Sequence, residues 1–89
     1  IAKMGPIDIS SDESVTDPAH HIAIWKGNVM LTGVTPENMD GLFIDGRPAT
    51  VADVAGLSKT TFASVKASFN PNGHELDRLD VQTQPGAPN

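Results

Sequence analysis

The 89-residue chain contains no cysteine, which excludes a disulfide framework and any thiolate metal site and leaves its redox compartment open. It also lacks any apolar run near the roughly 18 residues of a membrane helix, so direct membrane insertion is not expected. Positive charge is scarce: 6 Lys and Arg stand against 11 Asp and Glu, a formal net charge of −5. With the acids scattered from Asp8 to Asp80, this balance disfavours phosphate backbones and anionic membrane surfaces as partners. Nucleic acid is therefore not an expected ligand. The chain opens at Ile1 rather than at a methionine followed by a basic and apolar leader, and a mature or trimmed chain is the expectation. A chain of this length makes one domain at most, burying only somewhat more than about 60% of its unfolded surface. The core is expected to be thin.

Catalytic and metal-binding patterns are missing as well. His20, His21 and His74 could form an imidazole set only if neighbouring histidines of a strand did not point to opposite faces, and no carboxylate at a helical offset completes it. Solvated loop histidines are the simpler account. Asp8, Asp12, Glu13 and Asp17 lack the Asp-x-Asp-x-Asp-Gly spacing of a calcium loop and read as a solvated strand edge. Asp77, Arg78 and Asp80 read as cross-strand charge pairs of small value. Ser58, Thr60 and Thr61 offer hydroxyls with no assignable base beside them. The expectation is a protein that is not an enzyme and needs no cofactor.

What the chain does have is regular punctuation. Turn chemistry stands at Met4-Gly5-Pro6, Thr16-Asp17-Pro18, Thr35-Pro36-Glu37-Asn38, Asp45-Gly46-Arg47-Pro48, Asn70-Pro71-Asn72-Gly73 and Gln84-Pro85-Gly86. Between these breakers, short segments rich in Val, Ile, Thr and Phe alternate in polarity, as Ile22/Ile24, Val29/Leu31 and Leu79/Val81 do. The pattern predicts strands near 6–10, 13–16, 21–33, 41–45, 48–54, 60–69 and 75–83. One window competes: "TVADVAGLSKTTFASVKASF", residues 50–69, resembles the helix-turn-helix of LacI-type repressors. Its only local cations are Lys59 and Lys66, too few for a phosphate-binding surface, and a strand-loop-strand reading suits its flanks better.

"HIAIWKGNVMLTG", residues 21–33, is apolar on both sides of Gly27-Asn28. A hairpin with Gly27 first in a type II′ turn is one reading. A single strand bent at Gly27 is the favoured one, because a residue without a Cβ fits the bend and one parity, from Ala23 through Trp25 and Val29 to Leu31, stays on one face.

The longer stretch "GPIDISSDESVTDPAHHIAIWKGNVMLTG" resembles the first repeat of the OstA-like (LptA) family of periplasmic lipopolysaccharide-transport proteins. The resemblance rests on Pro6, Ile7, Ile9, Ser11 and Asp12, then on Ile22, Trp25, Gly27, Asn28 and Val29. "DGRPATV" and "SFNPNGHELDRLDVQ" are similar to later stretches of such chains, in the same order. The segment "VTPENMDGLFID" stands where the family has a further hairpin. The resemblance implies an all-β, small antiparallel β-jellyroll, a folded double sheet with an apolar interior groove, over residues 1–83, with a disordered tail at 84–89. It further implies a periplasmic module of outer-membrane biogenesis that holds lipopolysaccharide or lipid acyl chains. The groove candidates are Trp25, Val29, Leu31, Leu42, Ile44, Val65 and Phe69, each of which would serve equally as plain core. Edge-to-edge pairing with like-folded transport proteins is expected at Ile7 and Ile9 on the first strand and at Leu76, Leu79 and Val81 on the last. The alternative is a non-enzymatic β-sandwich assembly domain of an envelope or secretion complex, with its core filled.

Overall fold

The computed structural model describes residues 7–72 and 76–85. Seven strands occupy the alternating segments: β1 (Asp8–Ser10), β2 (Glu13–Asp17), β3 (Ile22–Thr32), β4 (Leu42–Ile44), β5 (Arg47–Pro48), β6 (Phe62–Phe69) and β7 (Leu76–Thr83). They join in one open sheet of order β1-β3-β6-β7-β4-β5, with β2 beside β3 as well. Every pair is antiparallel except β4 with β7, where Leu42 stands opposite Leu79 and Ile44 opposite Val81. The antiparallel-dominated, β-rich character expected from alternation is thus present. The strands make one continuous sheet, however, where a folded double sheet was expected. Of the expected unit 1–83 and tail 84–89, the described part of the unit holds these seven strands. Gln84 and Pro85 lie outside any strand. The rest of the tail, the turn at Met4-Gly5-Pro6, Gly73 and His74 lie outside the described residues.

The strand expected over 48–54 is a correction. Only Arg47–Pro48 is extended, and Val51–Gly56 forms a helix, α1, continued by a 3-10 turn over Leu57–Lys59. The reason is a capping box: Thr50 Oγ1 accepts from the Asp53 amide at 3.2 Å while Asp53 Oδ2 accepts from the Thr50 amide at 2.9 Å. Two amides that would otherwise lack partners are satisfied, and a Val-rich segment is committed to helix. The helix-turn-helix reading fails in its second half, since Phe62–Phe69 is a central strand.

The core lies on one face of the sheet. Val29, Leu31, Leu42, Ile44, Phe62, Val65, Ala67, Leu76, Leu79 and Val81 are buried there, and Val54 and Leu57 of the helical segment close over them. Three irregularities keep these residues on the same side. The β3 bend adds one residue against β6, so that Lys26 faces Ser64 but Val29 faces Phe62. Ala63 is an extra residue against β7, which turns Phe62 inward, and Asp77 is an extra residue against β6, which returns Leu76 to the core face. The Asp77 irregularity needs room. Gly41, at φ +83°, supplies it: a Cβ there would stand 2.8 Å from the Asp77 carbonyl oxygen.

Candidate functional site

Strand β3 does not turn back at Gly27-Asn28. It runs through to Thr32, with Gly27 at φ 80° and Asn28 at φ 48°, so the bent strand holds and the hairpin does not. Asp12, in the link between β1 and β2, locks the bend. The Asp12 amide donates to the Gly27 carbonyl at 2.9 Å, and Asn28 Nδ2 donates to Asp12 Oδ2, also at 2.9 Å. Asn tolerates the left-handed region better than most side chains, which makes a Gly-Asn pair suited to two consecutive positive φ values.

The same bend divides the margin of the sheet. β1 pairs with the far half of β3, Asp8 opposite Thr32 and Ser10 opposite Met30. β2 pairs with the near half, Glu13 opposite Lys26 and Asp17 opposite Ile22. Among the described residues, β1 and β2 pair with nothing but β3, so together they form one long free edge. Val15, at the centre of β2, is 56% exposed. Acids flank it: Asp8, Asp12, Glu13 and Asp17 belong to this margin, with Asp12 committed to the bend.

The other expected edge is a correction. β7 is an interior strand, held by β6 on one side and β4 on the other. The Leu79 amide donates to the Gly41 carbonyl and the Asp45 amide to the Val81 carbonyl, each at 2.8 Å, so Leu76, Leu79 and Val81 are core residues without an open ladder. Sequence order misled here, because the crossover through β5, α1 and β6 returns β7 alongside β4. The true second margin is the two-residue β5, closed by side chains. Arg47 Nη1 donates to Asp53 Oδ2 at 3.0 Å, and this bond, followed by those from Thr50, holds the Asp53 carboxyl down at about 2. Thr83 donates its amide and hydroxyl to Asp45 at 3.0 and 2.8 Å, and lowers the Asp45 carboxyl for the same reason, the backbone bond contributing most.

On the first margin, Ile7 is buried and Ile9 packs against the core. Only their backbone is offered to a partner. What sequence reasoning missed was Val15, a lone apolar residue between acids and hydroxyls in a strand that had been recognised.

The groove candidates are brought together, as core. Val29, Leu31 and Val65 are 0% exposed, Leu42 and Ile44 nearly so, with the helical segment over them. Trp25 and Phe69 are half-buried and pack against this cluster from its margin. Phe69 also lines a recess of about 350 Å³ with Ile22, Pro18 and His21. His20 and His21 sit in and just after a 3-10 turn and are exposed, His20 Nδ1 lying 2.7 Å from Asp17 Oδ2. Among the described residues no group of three or more His, Cys, Asp or Glu side chains is arranged to hold a metal, and no helix is long and apolar enough to cross a membrane. No protein-family model, curated protein or solved structure matches this chain.

Proposed function

We propose that this chain is a non-enzymatic assembly module that pairs strand to strand, through its β1–β2 edge, with a second copy of the same fold, in a periplasmic or envelope complex of the kind the sequence resemblance implies. The free edge with Val15 exposed at its centre supports this reading. Unpaired N–H and C=O groups on an edge strand template another strand, and flanking acids restrict which strand is accepted. The absence of cysteine provides a clean test. In a Val15→Cys variant the single thiol marks the edge, and oxidation is expected to yield a covalent dimer at high protein concentration. Sedimentation of the parent chain should show a matching concentration-dependent dimer, which Val15→Lys should abolish. A parent chain monomeric at every concentration, with no cross-link in the cysteine variant, would remove the proposal.

The recess beside Phe69 favours a second reading, in which the module also holds a lipid acyl chain. Such a ligand needs only apolar surface away from water, worth about 25 cal/mol per Å², and Ile22 and Phe69 provide some of it at the margin. Because the interior candidates are filled core, a longer jellyroll-like groove would have to open by displacement of Val54 and Leu57. Titration with lipopolysaccharide while following Trp25 emission tests this. A blue shift is expected if acyl chains enter; unchanged emission leaves only the assembly module.

A further inference from the structure

The face of the sheet opposite the core carries a charge pattern unlike that of the chain as a whole. Its outward side chains form a grid across three adjacent strands. Lys26 of β3, Ser64 of β6 and Gln82 of β7 make one row. Ile24, Lys66 and Asp80 make the next, and Ile22, Ser68 and Arg78 the third. Lys26, Lys66 and Arg78 therefore lie on one diagonal, with Cα steps of about 7–8 Å expected between diagonal neighbours of a sheet. They line an open trough of about 880 Å³ in which Asp80 is the one carboxylate among the lining residues. Half of the chain's 6 cationic side chains converge there, in a protein of net charge −5. Glu13, opposite Lys26, stands at the margin.

The Arg78 guanidinium is held in place by its neighbours. Its guanidinium lies 3.8 Å from the centre of the Phe43 ring, and its Nε donates to both oxygens of Asp80 at 2.8 and 3.0 Å. Among the described residues its Nη atoms donate no hydrogen bond, so the terminal fork remains for an anionic group. Lys26 and Lys66 take part in no ion pair among the described residues.

We infer that this trough binds an acidic oligosaccharide, with Arg78 and Lys66 holding carboxylate or phosphate groups of the sugar. Charge complementarity selects an anion, and the remaining side chains select its carrier. Ser64, Ser68 and Gln82 exchange hydrogen bonds with hydroxyls, Asp80 accepts from a hydroxyl but repels a bare polyanion, and Ile24 meets the C–H face of a sugar ring. The trough lining contains no aromatic side chain, so bases have no platform on which to stack. An acidic peptide would satisfy its backbone at an edge, not on a face.

The test titrates the full chain with tetragalacturonate, with maltotetraose, hexaglutamate and inorganic phosphate as separate arms, following backbone amide shifts by NMR. Tetragalacturonate should shift the amides of Ser64, Lys66, Arg78 and Gln82, with affinity falling as salt is raised. Lys66→Gln and Arg78→Gln should each weaken binding about tenfold, the range of one charge-assisted hydrogen bond, while Lys59→Gln, away from the trough, should leave it unchanged. Lys66 is exposed, so its variant keeps the test valid if the Arg78 variant fails to fold. Absence of shifts at the trough, equal response to hexaglutamate or phosphate, or undiminished binding by Lys66→Gln would each overturn the inference.

Discussion

The sheet has two margins, finished in opposite ways. β5 ends one of them with two residues, a proline, and side-chain bonds that lead inward: Arg47 to Asp53, and Asp45 to Thr83. The β1–β2 margin is several residues longer, is tied down only at its middle by Asp12, and exposes Val15. A margin stitched by side chains has little left to offer another chain, because its polar groups are engaged and its ladder is too short. A margin held mainly by backbone pairing on one side is an unfinished sheet. On the proposed reading, the pairing surface lies at the N-terminal side of the molecule.

The strongest challenge to this contrast is Leu79→Pro. If β7 is interior, the substitution removes the amide bonded to Gly41, crowds a residue with no exposure, and should cost about 3 kcal/mol or more. In a domain this small that means loss of the folded state by circular dichroism. A folded variant would show that β7 behaves as an edge and that the contrast is misdrawn. Gly27→Val comes next. Its Cβ would meet Asp12 Oδ2 at 2.9 Å, and φ +80° disfavours any β-branched side chain, so a loss of about 1–3 kcal/mol is expected in urea unfolding. The damage should concentrate in β1 and β2, visible as faster amide exchange there than in β5.

On the stitched margin, Thr50→Ala should cost about 1 kcal/mol through loss of the cap. Asp53 adds a dependence on pH. Its folded-state carboxyl titrates near 2, against an ordinary 3.8. A lowered carboxylate stabilises above its unfolded value, and that contribution disappears as pH falls from about 4 to about 2. Asp53→Asn should flatten this part of the stability profile, as measured by thermal melts across the range. The smallest effect on stability belongs to Val15→Lys, within about 0.5 kcal/mol, although it should abolish the dimer. A large destabilisation would mean that Val15 serves the fold and not the edge.

Much of this architecture was legible. β3, β4, β6 and β7 follow from their alternation, and the bend follows from a glycine set between two apolar half-strands. The segment after Pro48 was misread because Ala49 and Val51 alternate like a strand, while the competing signal, Thr50 with Asp53, involves only two side chains. That error carried into the site. Without α1, the apolar face of Val29, Leu31 and Val65 looks like an open groove; with it, the face is covered. The place of β7 was hidden for a different reason. Pairing between Leu42 and Leu79 is long-range, and no local pattern encodes which strand returns beside which.

That long-range pair also sets an order of events. β1, β2 and β3 are near neighbours in sequence and can meet as soon as they are synthesised, as can β6 and β7. β4 cannot be seated until β7 exists, because its ladder partner lies beyond the helix and a whole central strand. Closing so long a loop comes late and slowly. Until it closes, the apolar side chains of Leu42 and Ile44 on β4 lack the strand they pair with, so a nascent chain that has not yet reached Leu79 is at its most adhesive, and slow elongation through β6 should raise aggregation more than slow elongation after Thr83.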